Sequence, residues 1–291
     1  TIDDLTITDN SALEFGALTL GGALTVLIND NTDTNGAVTQ SGALNITSGK
    51  TKITAVGSNI TLNNTSNDFG ESASTHITGS GADVVIIDTD TVDVGAWTVT
   101  GTFTVTSDTD DITNLDENAT GTLDISGQAT FNVPAGQGIT LNNPNNNFNG
   151  IAPAFGESGD VENLTISTTQ AYVIGDLVAA GNVSITAAGI SQADGTTVSI
   201  AGAGKTATFK TLTDEQNITL NKAGNNFTKV VIAGTGAAAS AGTVILTDTN
   251  ALELGASKTK GDFTVTAGGA LTISGNIQVT AGAFTANTGG A

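Results

Sequence analysis

The residues of this sequence that could do chemistry are mainly acidic. Asp108, Asp110 and Asp111 form the densest group of carboxylates in the chain. Calcium is held in proteins by carboxylate and carbonyl oxygens, so this group is a candidate calcium site, and the competing interpretation is a solvated acidic turn. The Gly-Gly-x-Gly-x-Asp nonapeptide of calcium-binding β-rolls is absent. We therefore expect no cofactor, with calcium at these three residues as the alternative.

Groups for acid–base catalysis are scarce. The chain contains one histidine, His76, and no arginine. Enzymes built on β-helices, such as polysaccharide lyases and hydrolases, need carboxylates clustered with Lys, Arg or His in a cleft. Pairs such as Thr98/Thr100 are typical of ice-binding solenoids, but here they are sporadic. We expect a protein that is not an enzyme, and both a polysaccharide-active enzyme and an ice-binding solenoid are less favoured.

The charge balance excludes several partners. The formal net charge is −20, from 28 acidic and 8 basic residues, and every base is a lysine. A surface that binds nucleic acid needs clustered positive charge, so we expect no nucleic-acid partner. No apolar run approaches the ~20 residues that span a bilayer, which predicts no transmembrane segment. The acids are spread along the chain and predict an acidic, self-repelling exterior.

An internal repeat organises the whole chain. The segment Ile60-Thr61-Leu62-Asn63-Asn64 precedes Asn67-Asp68-Phe69, and related segments occur at 139–148 and 218–227. A second marker, an apolar residue or Phe followed by Gly, occurs at 15–16, 94–95, 174–175 and 254–255. Both markers recur at one common interval of roughly 80 residues, as expected for a tandem array. The sequence therefore contains four tandem units, near 1–79, 80–158, 159–238 and a partial 239–291.

Short alternating segments predict the fold class. Segments such as Leu123-Asp124-Ile125 alternate apolar and polar residues, which is the pattern of a half-buried strand, and Gly, Asn, Asp and Ser separate them. A fixed repeat over residues 1–291 favours a single continuous solenoid, because each turn must stack on the previous one. We expect an all-β parallel β-helix of about 14 turns, with about four turns in each unit and right-handed turns as crossover rules favour.

The Asn-rich element is predicted to be an outward bulge. Stacked asparagine ladders need identical residues on adjacent turns, and copies four turns apart cannot touch. The phenylalanines would anchor the bulge, which either closes a wide turn or forms an evenly spaced knob for a neighbouring fibre or ligand. The candidate lateral-contact residues are Asn63, Asn64, Asn67, Phe69, Asn142, Asn143, Asn146, Phe148, Asn221, Asn225 and Phe227.

The repeat segments resemble a known class of surface proteins. The residues at 60–70, their echo at 139–150 and Gly-Ala-Leu-Asn-Ile-Thr-Ser-Gly at 42–49 are similar to repeat regions of filamentous haemagglutinin-like adhesins and related β-strand-repeat proteins. This resemblance implies a right-handed parallel β-helix, export to the bacterial cell surface, and a role in adhesion or fibre formation.

These observations favour a structural cell-surface or extracellular fibre or stalk that self-associates or spaces an adhesive tip. The alternative is an adhesin that binds glycans along its flank, for which Trp97 and Tyr172 are the candidate aromatics. Neither the segment Thr1-Ile2 nor the Gly- and Ala-rich segment 281–291 resembles a polar cap. We therefore expect end-to-end continuation with copies of the chain or within a longer parent protein.

Overall fold

The structure, a computed structural model, describes residues 2–29, 36–46, 48–69, 76–113, 121–156, 160–212, 215–234 and 240–289. These residues form short β-strands, and no helix occurs among them. Accordingly, the described part of the chain has no helix of the length and apolarity needed to cross a membrane.

The strands are β1 (Leu5–Asp9), β2 (Leu13–Phe15), β3 (Leu18–Leu20), β4 (Leu24–Ile28), β5 (Val38–Gln40), β6 (Leu44–Ile46), β7 (Thr51–Thr54), β8 (Ile60–Leu62), β9 (Ile77–Gly81), β10 (Val84–Asp88), β11 (Val92–Val99), β12 (Phe103–Ser107), β13 (Ile112–Thr113), β14 (Leu123–Ile125), β15 (Ala129–Asn132), β16 (Ile139–Leu141), β17 (Ala154–Phe155) and β18 (Asp160–Val161). They continue with β19 (Leu164–Ser167), β20 (Ala171–Ile174), β21 (Leu177–Ala179), β22 (Val183–Ala187), β23 (Gly189–Gln192), β24 (Val198–Ile200), β25 (Ala207–Thr211), β26 (Ile218–Leu220), β27 (Asn226–Phe227), β28 (Lys229–Gly234), β29 (Val244–Asp248), β30 (Leu252–Leu254), β31 (Ser257–Thr259), β32 (Phe263–Ala267), β33 (Leu271–Ile273), β34 (Ile277–Val279) and β35 (Phe284–Thr288).

The alternating sequence sets the inner and outer faces of each strand. In β4 the side chains of Leu24, Val26 and Ile28 are buried, and the residues between them are half-buried. Successive side chains of a strand point to opposite faces, so one apolar residue in two is enough to line a narrow core. The predicted all-β solenoid with buried alternate residues is confirmed.

The strand pairs of the described ranges are parallel, and most are in register. For example, Val84 and Ile86 of β10 lie beside Phe103 and Val105 of β12. A shift by one residue would turn each inner side chain outward, so the apolar alternation of both strands fixes the register. Aromatic side chains extend this stacking: the ring centroids of Phe103 and Phe131 are 6.0 Å apart, in an edge-to-face arrangement.

The described chain divides into two compact units, Thr1–Ile151 with Phe155–Glu157, and Ala152–Ala154 with Ser158–Ala291. In the first unit most strands form three ladders, and the start of β11 pairs separately with β13, which pairs with β16. The first ladder contains β1, β4, β7, β9, the later part of β11, and β14; the second contains β2, β5, β8, β10, β12 and β15; the third begins with β3 and β6 and reaches Asp68 through its bridge to Asn45.

The second unit repeats this arrangement with its own ladders. One contains β19, β22, β25, β28, β30 and β33; another contains β20, β23, β26, β29, β32 and β35; the remaining strands pair in the groups β18, β21, β24, β27 and β31, β34. The chain visits these ladders in turn, so each strand lies beside a strand one turn earlier and one turn later.

The turns are longer than predicted. Leu5 pairs with Leu24, and Leu24 pairs in turn with Thr51, so one turn can extend from residue 24 to residue 51. The described residues therefore form about 11 turns in place of the predicted number of about 14. The prediction counted turns between apolar pairs such as Leu24 and Leu44, but these two residues lie on different ladders. It missed strands whose inner face is partly polar, such as β7, where Thr51 is fully buried.

One repeat unit is not a whole number of turns. Strand β10 is the repeat copy of β1, yet β1 lies in the first ladder and β10 in the second. The ten segments from β1 through β9, with the bridge at Asp68, are divided among three ladders, which gives three and one-third turns per unit. The second compact unit shows the same offset between repeats. There β29 is the repeat copy of β19 and lies in a different ladder. The predicted four turns per unit is wrong, because the repeat advances by one ladder.

The bends that join one ladder to the next, called corners below, stack closely on the bends of the previous turn. This stacking leads to the first prediction. A Cβ atom at Gly49 would overlap the backbone of Gly22 and Ala23 one turn earlier, whereas one at Gly16 would meet nothing within 4 Å. We expect Gly49→Ala to lower the free energy of unfolding by about 2 kcal/mol, since parallel ladders on both sides hold the two backbones together. The matched control, Gly16→Ala, should lower the free energy of unfolding much less. Urea unfolding followed by the fluorescence of Trp97, the single tryptophan, measures both, and equal effects would contradict the corner argument.

Candidate functional site: the asparagine corners

The Asn-rich element forms a corner of the coil rather than a knob. After strand β8 the chain turns, with the Asn67 amide donating to the Asn64 carbonyl at 3.1 Å. Asn67 is fully buried and Phe69 is 1% exposed, while Asn63 lies outside the strand end and is exposed. The predicted anchoring role of the phenylalanine agrees with its burial. The asparagine, however, points inward.

The Asn67 carboxamide links three successive turns. Its Oδ1 accepts the Leu44 amide at 2.9 Å, one turn earlier. Its Nδ2 donates to the Leu62 carbonyl at 3.3 Å in its own turn and to the Ile87 carbonyl at 3.1 Å in the next. These backbone groups lie where strand pairing stops, and a buried backbone group without a partner is costly. One side chain therefore satisfies the backbone on both sides of its own turn.

Two of these contacts recur in the other copies. Asn146 accepts the Leu123 amide at 2.9 Å and donates to the Leu141 carbonyl at 3.4 Å. Asn225 accepts the Val198 amide at 3.0 Å and donates to the Leu220 carbonyl at 3.3 Å. The repeated asparagine is thus explained by backbone hydrogen bonding within the coil.

These positions correct part of the lateral-contact prediction. The buried members, which cannot reach a neighbouring fibre, are Asn67, Phe69, Asn143, Asn146, Phe148, Asn225 and Phe227. The exposed members are Asn63, Asn142 and Asn221, and Asn64 is half-buried. Lateral contact through these four stays a prediction. In the first unit, moreover, Asp68 bridges to Asn45 in the third ladder and Asn147 bridges to Asp124 beside the first ladder, so the two copies do not lie on one side.

Two glutamines complete the corners. Gln40 and Asn67 exchange a reciprocal pair of amide hydrogen bonds, at 2.8 and 3.0 Å. Gln192 and Asn225 make the same pair at 2.7 and 2.8 Å. Gln40 lies 27 positions before its asparagine and Gln192 lies 33 before its own, so the two glutamines do not occupy equivalent repeat positions. No periodic signal marks them in the sequence, and they were missed.

Carboxylates hold the other side of two of the three corners. The Phe69 amide donates to Asp88 Oδ2 at 3.3 Å, and the Phe227 amide donates to Asp248 Oδ1 at 2.7 Å. The repeat copies of this residue, which lie at or directly after the ends of strands, are Asp9, Asp88, Thr168 and Asp248. The Asn-x-Phe motif and this strand-end residue are therefore two repeat markers that meet in space, one turn apart.

The same sequence position has different electrostatics in different copies. The hydrogen bond from the Ser11 hydroxyl holds the pKa of Asp9 below its usual range. Burial raises the pKa of Asp248, while hydrogen bonds from the Phe227 and Asn250 amides oppose the shift. Burial, and next the charge of Asp90, raise the pKa of Asp88 to about 8. Among these copies, the surroundings of Asp88 stabilise an ionised carboxylate least.

The predicted calcium residues do not form a site in the described structure. Asp108 is exposed, and Asp110 and Asp111 are half-buried. Asp111 Oδ1 accepts the Gly138 amide at 2.6 Å, and Asp110 Oδ1 accepts the amide of Asp111 at 3.0 Å. In the described ranges, no group of three or more His, Cys, Asp or Glu side chains is placed to hold a metal ion. The hydrogen bonds of Asp110 and Asp111 are those of a turn that caps backbone amides, and calcium binding at these residues stays a prediction.

Asp111 belongs to a wider set of corner caps that sequence reasoning missed. An Asp or Asn directly before a strand accepts the backbone amide at the same corner one turn later. Asp83, for instance, accepts the Thr102 amide at 2.7 Å. The other caps of this kind include Asp4, Asn59, Asn163, Asp176, Asn182, Asn217 and Asp262. The available signal was an Asp or Asn immediately ahead of an apolar alternation.

The candidate glycan-binding aromatics are both in the core. Trp97 is 1% exposed, and its Nε1 donates to the Ile77 carbonyl at 3.0 Å. Tyr172 is 3% exposed, and burial raises the pKa of its hydroxyl. Glycan recognition uses the exposed face of an aromatic ring, which neither residue offers.

Tandem repeats, parallel ladders and recurring corner amides define a repeat protein of the β-solenoid class. A family model described as "Repeats of unknown function (DUF5649)" matches residues 3–76, 81–153, 161–234 and 241–291. The chain belongs to this family, with four repeats. No curated protein and no solved structure gives a significant match.

The corner amide generates the second prediction. Asn67→Ala removes the acceptor of the buried Leu44 amide and one of the partners of Gln40, which still donates to the Gly42 carbonyl. We expect the free energy of unfolding to fall by about 2 to 3 kcal/mol, because buried polar groups are left without partners. Asn63→Ala is the matched control in the same turn and should change it by less than about 0.5 kcal/mol. Urea unfolding followed by Trp97 fluorescence measures both, and a neutral Asn67→Ala variant would argue against the corner's importance.

Proposed function

We propose that this chain is a structural segment of a cell-surface or extracellular fibre or stalk, extended end to end by further turns. The observation that supports this proposal is the incomplete cover of the last described turn of the second unit. Leu254 in β30 is fully buried, whereas its register partner Ile273 in β33 is 52% exposed. In the described residues each turn of the coil is covered by the following one, and a further turn of the same kind would cover Ile273 in the same way.

The neighbouring ladder has the same pattern. Phe263 in β32 is fully buried, and its register partner Phe284 in β35 is half-buried. An open strand edge also presents backbone donors and acceptors that pair readily with another strand. The proposed occupant of this surface is another turn of the same kind, supplied by a longer parent chain or by a second copy.

The charge of the chain favours end-to-end over sideways contact. With a net charge of −20, two chains repel each other along their flanks, and the few lysines are partly engaged. Lys229, for example, pairs with Glu253 at 2.8 Å. Burial of apolar side chains and strand pairing at a turn face are less affected by this repulsion than a lateral polar contact would be.

The proposed location rests on the resemblance to filamentous haemagglutinin-like and other β-strand-repeat adhesins. That resemblance supports export to the surface of a bacterium and a role in spacing an adhesive tip or in forming a filament. The absence of cysteine from the sequence is compatible with an exported protein that folds without disulfides.

The third prediction tests the proposed end-to-end contact. The 291-residue chain should form larger species as its concentration rises, and Ile273→Asp should abolish them, because a buried unpaired charge would oppose stacking. Val56→Asp is the matched control, since Val56 is 70% exposed within the first unit. This variant should associate like the unsubstituted chain. Sedimentation velocity over a concentration series measures all three. Monomers at every concentration for the unsubstituted chain would overturn end-to-end contact between separate copies and leave only continuation within one longer chain.

A further inference from the structure

Asp88 is a buried carboxyl group whose surroundings do not match its charge. The residue is fully buried at the end of β10, and its Oδ1 has no hydrogen-bond partner. Its Oδ2 accepts the Phe69 amide in a long hydrogen bond of 3.3 Å. An ionised carboxylate in such a position loses its hydration without full compensation.

The other repeat copies avoid this problem. Two residues after the strand-end position stand Ser11, Asp90, Gln170 and Asn250 in the successive copies. The residue is neutral in three copies and acidic in the second. In the fourth copy the Asn250 amide donates to Asp248 Oδ2 at 3.0 Å, and Asp248 Oδ1 accepts the Phe227 amide at 2.7 Å. Both oxygens of Asp248 are therefore satisfied, and its neighbour adds no charge.

The charged groups around Asp88 are all acidic. Asp90 is its strongest electrostatic neighbour, and Asp68, in the adjacent corner, is the next. Asp108 follows the end of β12, the strand that pairs with β10, and its side chain is exposed. Within the described ranges, no basic residue contributes to the electrostatic environment of Asp88. The two strongest electrostatic neighbours of Asp88, Asp90 and Asp68, therefore both oppose its ionisation.

We propose that the buried Asp88 carboxyl stays protonated at neutral pH, and that losing this proton at alkaline pH releases the Asn67–Phe69 corner from strand β10. The second repeat thus contains a proton-dependent contact between adjacent turns, and in the fourth repeat the two amides that donate to Asp248 oppose the same effect. The proton neutralises the buried carboxyl while the Phe69 amide keeps its acceptor.

The direction of the pH dependence follows from linkage. Burial and Asp90 raise the pKa of Asp88 to about 8, from 3.8 for an ordinary aspartate, and the hydrogen bond from the Phe69 amide offsets this rise only in part. The folded chain therefore keeps a proton that the unfolded chain has released, and the contribution to stability is complete below pH 3.8. It is lost as pH rises, and the loss is complete above about pH 8.

The direct test is a titration of the aspartate carboxyl carbons, labelled with carbon-13, in the intact chain. We expect one resonance with a midpoint near 8, absent from Asp88→Asn. In Asp90→Asn the midpoint should move down, because the neighbouring charge is gone. If no aspartate carbon titrates above pH 7, or if Asp90→Asn keeps the parent midpoint, the proposal fails.

A reciprocal exchange between the two copies supplies the matched control. Asp90→Asn gives the second corner the neighbour found in the fourth, and Asn250→Asp does the reverse. Amide hydrogen exchange at Phe69, corrected for its intrinsic pH dependence, should accelerate by about tenfold between pH 7 and 9 in the parent chain. Asp90→Asn should reduce this acceleration, and Asn250→Asp should create a similar one at Phe227. If amide exchange is unchanged in both variants, the proposed proton-dependent contact is wrong.

Discussion

The structure depends on the pairing of each strand with the strand one turn earlier and one turn later. Strands β1 and β4 align residue for residue, as do β10 and β12, so a backbone group in one turn has its partner in the next. Where this pairing stops, at the corners, the backbone still needs partners. The buried asparagines, the glutamines paired with them, and the Asp or Asn caps before strands supply these partners. Core packing follows from the same stacking, because apolar side chains lie above apolar side chains.

Much of this architecture could be predicted from the sequence. Alternation such as Leu123-Asp124-Ile125 indicates the strands, and the even spacing of Leu62, Leu141 and Leu220 indicates a repeat that only a stacked coil explains simply. The burial of Phe69, Phe148 and Phe227 also agrees with their predicted anchoring role. These features could be predicted because each depends on residue type and spacing along the chain.

The number of turns and the direction of the asparagines could not be predicted in the same way. Strand β7 carries a buried Thr51, so a count based on apolar pairs passes over it. Asn67 is polar and lies in a turn, which is typical of an exposed residue, yet its partners are the Leu44 amide and the Ile87 carbonyl in two other turns. The contacts that draw it inward join residues that are distant in the sequence, and no local pattern records them.

The offset of one ladder per repeat constrains how such a chain can evolve. When a gene duplication adds one repeat unit, each surface residue of the new copy lies on the ladder next to the one that holds its counterpart in the original copy. The two residues are therefore not directly above one another. A binding patch copied in this way is distributed around the coil, so duplication alone does not build a row of identical sites. Selection must then act on each copy separately, and copies diverge while their corner amides stay alike. The contrast between Asp90 and Asn250, at one repeat position, is a difference of this kind.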